Sequence, residues 1–268
     1  MRRDGTVDVS ARWEIYDQLL EMVPEGLQVE DCLLGLHWVL VRSSRATGLA
    51  MTPREGHARI RLAGRIRGMS IRELASYVKS WQNYEAALGL AAINSVLNAP
   101  DQVEALCGRP LVSQPQANAF TSYQDEVRGK KVAVIGHFPN LEPLAQVCQL
   151  TVLERRPGPG DLPDPACEFV LPEQDYVFIT ATTLVNKTLP RLLELSRQAR
   201  VILVGPSTPL APILFEHGID TLAGTVVMEP ERLRRAVEEG ATLQIFEQGA
   251  WMVKLTREEV EGIKGRRC

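Results

Sequence analysis

A chain of 268 residues with 45% hydrophobic and 24% charged residues is long enough for one large or two modest globular domains, each with a buried core. Its net charge of −3 lacks the basic footprint of a nucleic-acid binder. It has no apolar run of membrane-spanning length, and its opening MRRDGTVDVS lacks a signal peptide's apolar stretch, so no membrane insertion and a cytoplasmic location are expected. Cys32, Cys107, Cys148, Cys167 and Cys268 are odd in number, widely spaced and form no CxxC, which indicates neither a disulfide framework nor a structural zinc site.

In chain order, Trp13, Tyr16, Leu19, Leu20 and Val23 recur at helical spacing, with Ser10 as N-cap and Pro24 and Gly26 as the stop. LQVEDCLLGLHWVLVR and ATGLAMT read as two strands separated by a turn at 42–45. A helix returns over 70–81, where Ser70 and Glu73 have capping-box spacing and Leu74, Tyr77, Val78 and Trp81 form the apolar face. Asn83 opens NYEAALGLAAINSVLN, whose small residues predict a buried helix in close contact with another element, with Asn94, Ser95 and Asn98 as polar positions inside it. Strands followed by helices indicate a small α+β domain. Residues 99–129 lose periodicity and read as an ordered connection, because Phe120 and Tyr123 would be costly to leave in water. The expected domains are 1–125 and 126–268.

The second half opens on KKVAVIGHFP, a short apolar run stopped by Gly136, as in a buried parallel strand turning sharply into a helix; Asn140 is the expected N-cap. LTVLER, YVFIT, VILVG and IDTLAGTVV supply four further strands. RPGPGDLPDP is an irregular loop and 167–172 a short helix; helices open at Thr188 with Pro190, at Thr208 with Pro209, and over 231–239, and a short strand lies at 243–246. Strands alternating with helices predict an α/β fold with a Rossmann-like doubly wound parallel sheet.

In such sheets ligands bind beyond the carboxyl ends of the strands. Glu154 lies 18 residues after Gly136, near the offset of a ribose-binding acid, but GHFPNL is not GxGxxG, and bulky His137 and Phe138 stand where a pyrophosphate must approach the backbone. Ordinary dinucleotide binding is therefore not expected. Each residue also has a structural reading: His137 bonded to a carbonyl, Thr183 and Asn186 satisfying a turn, Glu154 paired with an arginine, Asn94 and Asn98 as hydrogen bonds inside the core. His37, His57 and His217 are isolated and read as structural.

VAVIGHFP, LERRPGPGDLPD, TATTLVNKTLPRLLEL and VGPSTPLAPILFEHGIDTLAG, in that order, resemble the Rossmann-like domain of the family called "putative heavy-metal chelation". NYEAALGLAAINSVLN resembles that family's companion domain, with a fold like the N-terminal domain of enolase. The resemblance implies an inter-domain ligand site built from Gly136, His137, Phe138, Pro139, Glu154, Arg155, Thr183, Asn186, Lys187, Gly205, Pro206 and Ser207, with Glu85 and Asn94 from the small domain. His137 and Glu154 are the implied ligands of a divalent or transition metal ion. A link to metal transport is implied too, and a homodimer is common for such folds. One histidine, one or two carboxylates and no thiolate pair suit a harder or borderline cation, or a metal already held by a chelator, better than a soft one. Three readings follow: a carrier of a metal, metal chelate or small anionic metabolite; an enzyme with a nucleotide or adenosyl-type cofactor in the same cleft, His137 or Glu154 as acid or base and Lys187 stabilising charge; or a scaffold.

Overall fold

The computed structural model describes residues 12–56, 60–111 and 118–267. Ser10, His57 and Cys268 lie outside them. Helix α1 (Glu14–Glu21) buries Ile15, Tyr16 and Leu19 on one face. Strands β1 (Asp31–Leu34), β2 (Trp38–Arg42) and β3 (Thr47–Met51) form an antiparallel sheet in the order β1-β2-β3. The stretch 27–42, expected as one strand, is thus a hairpin. Its turn closes where the Gly35 N–H donates to Trp38 O at 2.9 Å, and a Cβ on Gly35 would lie 2.6 Å from Val237.

The helix expected over 70–81 is shorter. Helix α2 (Ile71–Ser76) tightens into a 3-10 turn, Tyr77–Lys79, and Ser80 is already extended, so Trp81 leaves the apolar face and is 76% exposed. Packing explains the break: a Cβ on Gly89 would lie 2.2 Å from Val78 N, so this backbone rests directly on the next helix. That helix, α3 (Asn83–Leu97), is buried from Glu85 through Leu97, and its N-cap is Gln82. Helix α4 (Pro100–Cys107) falls inside the stretch read as irregular. Proline in its first turn and left-handed Gly108 bound it, and Val103 is its one buried residue, too little for a periodic signal. Helix α5 (Ala119–Ser122) ends the connection.

The second half runs β4 (Lys131–Ile135), α6 (Glu142–Ala145), β5 (Gln149–Glu154), β6 (Leu162–Pro163), α7 (Cys167–Val170), β7 (Tyr176–Thr180), α8 (Thr182–Val185), α9 (Leu189–Leu195), β8 (Arg200–Val204), β9 (Thr221–Val227), α10 (Pro230–Glu238), β10 (Ala250–Thr256) and α11 (Arg257–Arg267). The seven strands lie in the order β10-β9-β8-β7-β4-β5-β6, parallel except for β10, which pairs antiparallel with β9. This is the doubly wound order, with its switch point between β4 and β7. Three local expectations change. Asn140 is left-handed (φ 62°) rather than an N-cap, and α6 starts after Leu141. The helix expected from Thr208 is a 3-10 segment, Pro212–His217, because the preceding backbone is pinned at Leu210 by Asn98. The strand expected at 243–246 is a 3-10 turn, and the antiparallel strand follows it.

Alternation sorts the strand residues into two layers. Val132, Val134, Phe178 and Ile202 pack with Phe120 and Tyr123 on one face. Ala133, Ile135, Ile179 and Leu203 face the other way and join the core that also holds Tyr16, Leu74, Leu88 and Ile93. Helix α3 therefore belongs to a core shared by both halves of the chain.

Candidate functional site

At the carboxyl edge of the sheet the chain reverses at Gly136 and Gly205, with φ of 99° and 111°, values that disfavour side chains. A Cβ on Gly136 would also lie 3.1 Å from Thr180 Cγ2, so the β4 turn rests on the end of β7. Phe138 reaches across to Gly205 and packs on Phe120, ring centroids 5.1 Å apart. Pro139 is exposed and Pro206 half-buried.

Glu154 clamps these turns. One carboxylate oxygen accepts the His137 N–H at 2.9 Å; the other accepts those of Arg155 at 2.9 Å and Arg156 at 3.2 Å. The His137 imidazole is 59% exposed, and its Nδ1 lies 3.0 Å from the carboxylate of Asp161, whose own side chain is only 4% exposed and also accepts the Gly158 N–H. A carboxylate at Nδ1 favours the proton there, leaving the Nε2 lone pair directed outward, the arrangement that orients metal-binding histidines. Sequence reasoning missed Asp161; its one signal was an acid inside a Gly/Pro-rich loop.

The segment after β3 lies over this edge. Met51 N–H donates to Ser207 Oγ at 2.8 Å, Glu55 pairs with Arg155 at 3.2 Å and Arg156 at 3.3 Å, and Arg156 reaches the Arg54 carbonyl at 3.0 Å. Asn94 sits beneath, its amide donating to Leu49 O and Ser207 O, both at 2.9 Å, while its Oδ1 is buried without a partner. Asn98 bridges Thr208 O, Thr225 O and Leu210 N.

The structure thus brings together Gly136, His137, Phe138, Glu154, Arg155, Gly205 and Ser207, with Asn94 behind them. The other candidates serve different contacts. Thr183 donates to Thr180 O at 2.6 Å, and Asn186 Oδ1 accepts the N–H and hydroxyl of Thr188 at 3.1 and 2.7 Å. Lys187 has a left-handed backbone (φ 68°); its ammonium donates to Val185 O, and burial pushes its pKa down to about 8. Glu85 stands nine residues before Asn94 on α3, about 13 Å along the axis. It is fully buried at the other end of the helix, bonded to Arg61 and Ser80, and chiefly the Arg61 guanidinium holds its pKa down to about 2.

Among the described residues no group of three or more His, Cys, Asp or Glu side chains is placed to hold a metal ion. Burial pushes the thiols of Cys32 and Cys167 up to about 11 and about 12 and raises that of Cys148, so these stay protonated at neutral pH. No helix among the described residues is long and apolar enough to cross a membrane.

Comparison with known proteins places two family descriptions on the chain, both "Putative heavy-metal chelation", at residues 118–256 and 16–97. An uncharacterized protein of Methanocaldococcus jannaschii is 30% identical over 244 residues, covering 85% of this chain and 90% of that one. A crystal structure of a protein of unknown function from the DUF364 family of Desulfitobacterium hafniense superposes with a TM-score of 0.84 at 40% identity, covering 92% of this chain and 99% of the other. A second DUF364 structure, from Pyrococcus horikoshii, shares the fold with a TM-score of 0.73 at 24% identity, covering 91% and 99%.

Proposed function

Because the chain belongs to the family described as "Putative heavy-metal chelation", we propose that it is a binding protein that takes a metal already held by a small anionic chelator, at the carboxyl edge of the seven-stranded sheet. The observation that carries this reading is the His137 imidazole, oriented by Asp161 with Nε2 outward at the sheet's switch point, beside Arg155 and Arg156. A bare transition-metal ion asks for about four protein ligands or three and a water. Here Glu154 already accepts three N–H groups, and burial keeps Cys32, Cys148 and Cys167 protonated. A chelator would fill the remaining positions, its negative charge would suit the arginines, and His137 would add one ligand.

Calorimetry with nickel–citrate, free nickel ion and citrate tests this. The complex should bind saturably and more tightly than either component. His137→Ala should weaken it at least about tenfold, and Asp161→Asn by a similar factor through the loss of ring orientation. Equal, weak heats from all three probes, with an unchanged melting temperature, would reject the reading.

A further inference from the structure

A hollow of about 440 Å³ lies at the amino-terminal end of α3, lined by Arg61, Ser76, Tyr77, Lys79, Ser80, Trp81 and Gln82. Its described lining residues all come from the first half of the chain. Its volume falls in the range of small-molecule sites.

Two features set it apart from an ordinary surface dent. The first is Trp81, an indole 76% exposed whose ring meets Trp13 edge-on, centroids 5.7 Å apart at 77°. Leaving so large an apolar ring in water is unfavourable unless something covers it. The second is the mounting of Arg61. Its side chain is 70% exposed, yet Nε and Nη2 form a two-pronged pair with Glu85 at 2.9 and 2.7 Å, and Glu85 is itself fully buried and held further by Ser80. A buried carboxylate thus aims an exposed guanidinium. Its Nη1 has no acceptor among the described residues, nor has the Tyr77 hydroxyl or the Trp81 indole N–H, whereas the Lys79 ammonium is paired with Asp17 and lies over the Trp13 ring. The open N–H groups of Arg61, the Tyr77 hydroxyl and the Trp81 indole N–H therefore belong to residues that line one hollow beside a stacking surface, where each cation is already matched by a carboxylate.

We infer that this hollow is a second binding site, for a planar ring that carries an anionic group: the ring stacks on Trp81 and the anion takes the outward N–H groups of Arg61. Carboxylate and phosphate offer the same acceptor geometry to a guanidinium, so an aromatic acid and a nucleotide are the two sources to distinguish.

Calorimetry with adenosine monophosphate and 4-hydroxybenzoate, and with adenosine and inorganic phosphate as half-ligands, makes the test. At least one anionic ring should bind at least about tenfold more tightly than either half-ligand and quench tryptophan fluorescence. Trp81→Ala, at an exposed position, should lose that binding. Trp81→Phe should retain it without the Trp81 quench, and Arg61→Lys, which keeps the charge but not the fork, should weaken it about tenfold, with circular dichroism confirming that each variant is folded. The inference fails if neither anionic ring binds below about 10 mM, if a half-ligand binds as well, or if folded Trp81→Ala binds like the parent.

Discussion

At Lys187 the chain accepts two unfavourable terms in one residue: a left-handed backbone without glycine, and an ammonium largely removed from water with no carboxylate beside it among the described residues. In the folded protein the amine titrates near 8, in the unfolded chain near 10.5. Below pH 8 both states carry the proton, and the fold bears the full cost of the buried charge; between 8 and 10.5 only the unfolded chain holds it, and the cost fades. Lys187→Met should therefore stabilise the protein at pH 7 by about 1 kcal/mol, a figure reduced for the amine's remaining contact with water, and this advantage should disappear as pH rises from 8 towards 10.5. Urea titrations across that range check it. A gain that persists at high pH would mean that apolar packing of the methionine side chain, not removal of the charge, sets the effect. The residue letters led the reasoning to Lys187, Glu154 and His137 but did not separate their roles. Glu154 is a clamp for three N–H groups, and the partner of His137 lies 24 residues away, a relation no local spacing encodes.

Among the elements, α3 is pressed on two sides at backbone distance. A Cβ on Gly48 of β3 would lie 2.0 Å from Ala91 O and 2.2 Å from Ser95 N, and a Cβ on Gly89 would meet Val78 N at 2.2 Å. The obstacles are main chain, which cannot rotate aside. Gly48→Ala and Gly89→Ala should each cost about 3 kcal/mol or more, the second despite the better intrinsic propensity of alanine in a helix. Equilibrium denaturation measures this; a loss below about 1 kcal/mol at both sites would show that the helix can shift outward. The Ala- and Leu-rich composition, with its small residues, already announced a buried helix with close neighbours. It could not say that one contact would shorten the preceding helix and turn Trp81 out to solvent.

For the molecule as a whole, the boundary expected near residue 125 separates two sheets but not two cores. Tyr16 donates to Leu184 O at 3.2 Å, Trp38 to Thr242 O at 2.9 Å, Asn98 makes three bonds to the second half, and the Asp31 carboxylate takes both Arg67 and Arg234. Together with the shared apolar cluster, these contacts leave neither half able to unfold without exposing the face of the other. Scanning calorimetry should give one transition with matching calorimetric and van't Hoff enthalpies. Two resolved transitions, or a van't Hoff value well below the calorimetric one, would show independent domains.

By itself the sequence determined β4, β5, β7, β8 and β9 and the glycine turns after β4 and β8, because a buried strand must be largely apolar and a backbone φ near 100° disfavours a side chain. These are demands on consecutive residues. It missed the two-residue edge strand β6, which lies in the Gly/Pro-rich stretch read as an irregular loop. Only the tertiary structure decided that Asp161 orients His137, that Glu55 and two arginines join the halves, that Asn94 and Asn98 are spent on distant backbone, and that Glu85 lies at the far end of α3, beneath a separate hollow. Each of those pairings links residues far apart in the chain, so the partner is chosen by how the elements pack.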